Sequence, residues 1–315
     1  MFRLYDYITQ YLYPSPTSTT LPEATPITDT IDPELPNVIV IDSMTKAETP
    51  LSSNETPLSS NGTPLLPNGT PLSSNGTPDI KEFNMEWIGD DKIIIIISKR
   101  NGGKTVLALD YLYHNQNFPV GVVISPNEDF NYDYKPHVPS VFIHDKYSIE
   151  LSEGVLERQK YICRNCRINP RYKDSDPHAF IILDNCLADA YNLALDENIK
   201  WIFMNKRLIK LTLILTMDNP MSITPNLRTE IDWVFICKHT KIGDQKRLYE
   251  MYGSLFPTFE MFREVLNYCT KDYGCLVIDN SSTSDNLFDR IYCYRADIKG
   301  KAFKVCKPIL WKMSV

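Results

Sequence analysis

From about residue 81 the chain alternates short, largely apolar and β-branched runs with longer stretches of helical spacing. The runs are 93–97 (IIIII), 120–124 (VGVVI), 141–144 (VFIH), 179–184 (AFIILD), 211–217 (LTLILTM), 233–238 (WVFICK), 275–279 (CLVID) and 290–296 (RIYCYRA). A strand with one wet face alternates apolar and polar residues, so a continuous apolar run predicts a strand buried on both faces. Helical segments between several of the runs predict right-handed βαβ crossovers, hence an α/β domain over 81–315 built on a mainly parallel sheet.

Residues 1–80 have a different pattern. Residues 49–78 read TPLSSNE TPLSSNG TPLLPNG TPLSSNG TP, with a proline in every unit and no apolar stripe. Proline removes helical hydrogen bonds, and this composition buries too little apolar area to offset chain entropy. A disordered tail over 1–80 is predicted. Within it, NVIVIDS (37–43) reads as a brief extended stretch or an added strand for a partner's sheet edge. The aromatic start (Phe2, Tyr5, Tyr7, Tyr11, Tyr13) reads as a docking peptide or as packing on the core. The N-x-T triplets at Asn54, Asn61, Asn68 and Asn75 are by-products of the repeat, because the N-terminus lacks the basic and apolar regions of a secretory signal.

Charge sharpens this division. Residues 1–80 hold two basic and nine acidic residues, and the remainder holds 31 basic and 30 acidic. The acidity therefore belongs to the tail, and any nucleic-acid contact must come from local basic patches rather than from an overall field. No apolar run approaches the roughly 20 residues that span a bilayer, so stable membrane insertion is not expected. Eight cysteines, all between 163 and 306, are expected to be reduced thiols rather than a disulfide framework.

The strand 93–97 runs into Ser98-Lys99-Arg100-Asn101-Gly102-Gly103-Lys104-Thr105-Val106, and a helical stretch follows. A phosphate-binding loop has this context. Its backbone N–H groups and the helix N-terminus face the phosphates, its lysine reaches the β- and γ-phosphates, and its Ser or Thr hydroxyl ligates Mg2+. The usual spacing begins with glycine, and here that place is Ser98. Gly102, an additional glycine, supplies conformational freedom nearby. ATP and Mg2+ are thus the expected ligands. A second acid belongs at the end of a neighbouring strand, and Asp184 fits, with Thr105 and Asp184 holding the metal. Asn185 follows, where an acid commonly orients the attacking water.

These elements resemble the DNA-packaging ATPases of large cytoplasmic DNA viruses, the poxvirus-type branch of the FtsK–HerA superfamily. The resemblance runs from about residue 88 to 296 and rests on an ordered set: SKRNGGKT, VISPNEDFN, HVPSVFIHDKY, FIILDNCLAD, WIFMNKRLIK, LTMDNPMSITPNLRTEIDWVFI and LVIDNSSTSDNLFDRIYCYRA. It implies a RecA-like P-loop NTPase that forms rings and drives duplex DNA into a capsid. It further implies virion-assembly partners and a location in the viral factory of the host cytoplasm or in the virion. Asp218 would occupy a polar sensing position, and Arg207 and Arg228 are candidates for an arginine that reaches a neighbour's γ-phosphate. The family commonly carries Gly at 98, an acid at 185 and Gln near 218, so Ser98, Asn185 and Asp218 are departures. A nucleotide-binding scaffold protein with impaired turnover is the alternative reading.

Three further features complete the sequence. Glu128, at the carboxyl edge of the predicted sheet, is a candidate to replace the acid missing at 185. Cys163-x-x-Cys166 has the spacing of half a zinc site, lacks a second half, and falls in a helical pattern. Two basic stretches, 158–173 and 295–312, are candidate DNA-backbone contacts or solvated faces.

Overall fold

The five isoleucines form strand β1 (Ile93–Ile97), and every one is buried. Ile93, Ile95 and Ile97 enter one apolar core, and Ile94 and Ile96 enter another on the opposite side. One strand thus serves two cores, which is why its sequence does not alternate. The structure is a computed structural model describing residues 79–186, 196–298 and 300–314. The repeat tail, NVIVIDS, the aromatic start and Lys299 lie outside the described residues.

The seven other runs also form strands: β2 (Gly121–Ile124), β3 (Ile143–His144), β4 (Ala179–Asp184), β5 (Leu211–Met217), β6 (Trp233–Ile236), β7 (Cys275–Asp279) and β8 (Ile291–Tyr294). Among the described residues they make one sheet in the order β3-β2-β4-β5-β1-β6-β7-β8. The first six in that order pair in parallel, and β7 and β8 add antiparallel. The expected run at 141–144 is shortened because Ser140–Phe142 forms a 3-10 turn.

Helix α1 (Lys104–His114) covers one face, with Leu107, Ala108, Tyr111 and Leu112 buried. Phe83, Met85 and Ile88 join it from the N-terminal side. The other face carries α2 (Ile149–Ile168), α3 (Glu197–Asn205), α4 (Ile242–Tyr252) and α5 (Phe259–Cys269). Capping side chains start three of these. Ser148 Oγ accepts from the Leu151 amide, Asp196 from the Asn198 amide and Thr258 Oγ1 from the Met261 amide.

After β8 the chain returns across the α1 face. The amides of Val305, Cys306 and Lys307 donate to the carbonyls of His137, Phe118 and Pro119, and Phe303 and Val305 are buried there. The basic residues Lys301 and Lys304 therefore ride on the face opposite α2. The end of the 295–312 stretch leaves that face, since Leu310 enters the core that α2 covers.

The thiol expectation needs one correction. Six cysteines are free, but Cys269 at the end of α5 is bonded to Cys293 in β8. Their Cα atoms are 4.9 Å apart, because the end of that helix packs on the edge strand.

The sheet order fixes where chemistry can gather. Strand β5 lies between β1 and β4, pairing Ile97 with Met217 and Asp184 with Thr216. The carboxyl ends of three adjacent parallel strands are thereby level, and the loop after β1 opens beside Asp184 and Asp218.

Candidate nucleotide site

The loop leaves β1 at Ser98, which is fully buried and donates its amide to the Met217 carbonyl at 3.0 Å. The Ser98 hydroxyl faces the thiol of Cys237, which burial pushes up to about 11. A Cβ added at Gly102 would lie 1.9 Å from Ser98 Oγ. Glycine at 102 is thus the space that serine at 98 requires, which explains how the loop tolerates the departure. Asn101 (φ 61°) and Gly103 (φ 93°) are left-handed, and together they turn the chain into α1. Gly103 caps α1 without a side-chain acceptor, so the first amides of the helix are offered to an anion.

The Lys104 ammonium curls back over the loop. It donates to the carbonyls of Ser98 (3.0 Å) and Lys99 (3.2 Å) and to Asp218 Oδ1 (2.5 Å). Lys104 is buried, whereas the Asp218 side chain is 47% exposed at the end of β5.

Asp184 gathers a second set of three hydrogen bonds. It accepts from Thr105 Oγ1 (2.8 Å), Thr216 Oγ1 (2.5 Å) and the Tyr134 hydroxyl (3.0 Å). Tyr134 is fully buried, and burial first, then the Asp184 charge, holds its pKa well above the usual phenol range. It therefore remains a donor. The Asn185 amide donates to Thr216 Oγ1 at 2.9 Å, and Asn185 sits at φ 56°, a region that asparagine tolerates better than most residues.

These groups line a cleft of about 860 Å³ that includes Lys104, Thr105, Asp184, Asn185 and Asp218, with Val106 at its mouth. Its donors suit Mg2+: a hydroxyl and a carboxylate are hard oxygen ligands. No cluster of three or more His, Cys, Asp or Glu able to hold a metal occurs among the described residues. A cation here would complete its shell with water and phosphate oxygens, the usual habit of Mg2+.

The other candidates lie elsewhere. Glu128 is buried, and its carboxylate accepts the amides of Tyr134 (2.9 Å) and Lys135 (2.8 Å). It holds the turn that carries Tyr134 and does not line the cleft, so the expectation that it replaces the missing acid is corrected. Its own pKa is raised by burial. Arg207 is 72% exposed and 4.0 Å from Asp232, at the amino edge of the sheet away from the loop. Arg228 ends a one-turn helix (Pro225–Arg228), with its Nε buried and without a hydrogen-bond partner. Neither arginine lines the cleft.

In the basic stretch of α2, Arg158 is only 3% exposed and contacts Gln159 Oε1, so it leaves the candidate DNA surface. Lys160, Arg164, Arg167, Arg171 and Lys173 remain exposed. Cys163, in the same helix, packs with Ile162 and with Tyr172 of the 3-10 turn that follows. The sequence reading missed Tyr134 and Thr216. Thr216 was detectable in principle as one of two polar positions inside LTLILTM, two residues before Asp218. Tyr134 carried no signal, because only the fold brings it to Asp184.

No family model matches the chain. It is 33% identical over 219 residues to the uncharacterized protein L437 of Acanthamoeba polyphaga mimivirus, covering 69% of this chain and 77% of L437. It is 33% identical over 220 residues to the uncharacterized protein 075L of Invertebrate iridescent virus 6, covering 68% of this chain and 81% of 075L. Among solved structures, the genome packaging NTPase B204 from Sulfolobus turreted icosahedral virus 2, in complex with sulfate, aligns with a TM-score of 0.46 at 14% identity. That alignment covers 66% of this chain and 98% of B204. The pCW3 conjugation coupling protein TcpA aligns with a TM-score of 0.43 at 10% identity, covering 74% of this chain and 71% of TcpA.

Proposed function

This chain belongs to the same family as the viral proteins L437 and 075L, and from that premise we propose that it is an ATP-hydrolysing motor that moves duplex DNA into a viral capsid. The observation that carries the ATPase reading is the joint placement of Lys104, Thr105, Asp184 and Asp218 around one cleft, at the ends of three adjacent strands. The lysine and the amides at the start of α1 bind phosphate oxygens. Thr105 and Asp184 hold Mg2+, which neutralises charge on the phosphates when bound. Thr216 and Tyr134 fix the rotamer of Asp184 by donating to both of its oxygens. Asp218 stands beside Lys104, where the γ-phosphate end of the nucleotide lies.

The DNA part rests on the ordered motifs over 88–296 and on the exposed cations of α2. Contacts of that kind give affinity for phosphate backbones without reading sequence, as a packaging motor needs. A ring of copies would bring Arg207 or Arg228 of one subunit to a neighbour's cleft, with virion-assembly proteins as partners and the viral factory as the site of action.

The test is Lys104→Ala in the full chain. MgATP affinity by calorimetry and phosphate release are both expected to be lost, while cooperative thermal unfolding is retained, because the side chain holds only the loop and Asp218 and enters neither core. Unchanged affinity and turnover would sink the reading.

Asn185 favours a second reading, a nucleotide-binding scaffold with impaired turnover, because an amide is a poor proton acceptor. Asn185→Asp discriminates. The left-handed backbone at 185 accommodates Asp, so the substitution is expected to raise turnover if only this acid is missing. Glu, longer and less tolerant of φ 56°, is expected to raise it less. Wild type and Asn185→Asp proteins that bind ATP without releasing phosphate, with or without DNA, would favour the scaffold.

A further inference from the structure

A second cleft, of about 660 Å³, opens on the other side of the phosphate loop. It shares Arg100, Asn101, Gly102 and Tyr273 with the first. We propose that this cleft receives the nucleoside half of a purine nucleotide, with the base stacked on the ring of Tyr273. The inference rests on the nucleotide reading above and adds the subsite that reading leaves open.

Direction is the first argument. Asp184 and Asp218 mark the terminal-phosphate end, at β4 and β5. The loop itself follows β1. A nucleotide laid from the first to the second therefore continues toward β6 and β7, the next strands in the sheet. The second cleft lies there, between the segment after β6 and the turn before β7.

The second argument is Tyr273 itself. Its side chain is 89% exposed, so folding buries almost none of the ring. Asp272 (φ 48°) and Tyr273 (φ 62°) are consecutive left-handed residues, a conformation unfavourable for a bulky side chain. Gly274 follows, and a Cβ there would meet the Cys269 carbonyl at 2.2 Å, so the turn is pressed against the end of α5. Local folding gives no account of an aromatic held this way, while clamping of a ligand does.

The lining is the third. Cys237 and Thr270 form a buried floor. The thiol is neutral because burial raises its pKa to about 11, and the Thr270 hydroxyl is spent on the Leu266 carbonyl at 2.7 Å. The floor is thus uncharged, as a base requires. Lys99 paired with Asp244 (3.0 Å), together with Lys238 and Lys241, makes a polar rim for the sugar.

Phe130 is the rival platform. It is 84% exposed and lines the phosphate cleft from the β2 side. It lies beyond Asp184, at the terminal-phosphate end, and so on the wrong side for the base.

The experiment compares two ligands on the full chain by calorimetry: MgATP, and Mg-tripolyphosphate, which has phosphates and no base. Tyr273→Ala is expected to weaken ATP binding by about tenfold or more, as for loss of one base–aromatic stack, and to leave tripolyphosphate unchanged. Tyr273→Phe keeps both affinities, and any loss in Phe130→Ala, which lines the phosphate cleft, falls on both ligands alike. An unaltered ratio of the two affinities in Tyr273→Ala overturns the inference while the phosphate loop stands. Equal loss of both ligands in that variant also overturns it, since Tyr273 would then act through the loop. A selective loss of ATP in Phe130→Ala places the base on the β2 side and overturns it too. If wild-type protein binds neither ligand, the nucleotide reading itself fails.

Discussion

Lys104 Nζ lies 2.5 Å from Asp218 Oδ1, an ion pair that joins the phosphate loop to the end of β5. A phosphate arriving at Lys104 must compete with that carboxylate. The same carboxylate lines one cleft with Asn185 and, unlike that of Glu128, is not occupied by backbone amides. Asp218→Asn is therefore expected to move binding and catalysis in opposite directions. MgATP should bind several-fold tighter as the competing charge is lost. Turnover should fall by about 10² or more if Asp218 takes over the handling of the attacking water. Calorimetry and steady-state phosphate release measure the two. Tighter binding with unchanged turnover would leave Asp218 as a competitor only.

The eight strands were legible because burial on both faces writes continuous apolar runs, and β1 is the plainest case. The phosphate loop and Asp184 were legible because each ends such a run. The parallel sense was legible from the helical stretches between runs, while the antiparallel β7–β8 end was not. What stayed hidden depends on contacts distant in sequence. Tyr134 meets Asp184 across 50 residues, and Cys269 meets Cys293 across two elements. Arg158 looked like one more surface cation because the charge pattern does not say which turn of α2 faces inward. Glu128 looked catalytic from its position at the sheet edge, and only the amides of Tyr134 and Lys135 reveal what its carboxylate holds.

Ser98 and Gly102 are expected to behave as one unit. Gly102→Ala alone drives a methyl group toward Ser98 Oγ, and overpacking of this kind costs about 1–3 kcal/mol. Ser98→Gly alone should be mild, because it removes only a hydroxymethyl group beside Cys237. The double variant should recover much of the lost ATP affinity and stability, though not all, because the Lys99 carbonyl remains 3.0 Å from the new Cβ. A double-mutant cycle on thermal stability and ATP affinity reads the coupling. Strict additivity would show that the contact does not shape the loop.

Asp110 gives a pH prediction with a definite sign. It is fully buried in α1, accepts from the Tyr294 hydroxyl through Oδ2, and has only the His114 imidazole, 4.0 Å away, near Oδ1. Burial raises its pKa above the ordinary carboxylate value and outweighs the opposing effects of Tyr294, His114 and Lys301. The folded state thus holds the proton more tightly than the unfolded state. The resulting stability is fully present below the unfolded pKa and is lost as pH rises through the folded pKa. Asp110→Asn cannot titrate. Its stability relative to wild type should therefore be higher at pH 7 than near pH 3, as measured by denaturant unfolding at both. A difference independent of pH would mean that Asp110 is not protonated more readily in the fold.

The DNA reading is testable because the fold places Lys301 and Lys304 away from the exposed cations of α2. Lys160, Arg164, Arg167, Arg171 and Lys173 lie in or just after the C-terminal half of α2, with Arg207 at the same amino edge of the sheet. Lys301 and Lys304 lie on the opposite face, the first 3.4 Å from Asp297 and the second over the Trp311 ring. If α2 tracks the duplex, binding should be indifferent to sequence, and log Kd should vary steeply with log salt. Each phosphate contact removed should then flatten the slope by roughly 0.9. Arg164→Ala with Arg167→Ala is expected to weaken duplex binding uniformly across sequences and to flatten that slope, while Lys301→Ala with Lys304→Ala leaves it unchanged. Both pairs are solvent-side cations, so neither should disturb the cores. Equal effects from the two pairs would mean a general charge attraction rather than a track. A flat salt response in the wild type, or no duplex binding at low salt, would remove DNA from the function and leave the nucleotide cleft to serve a different partner.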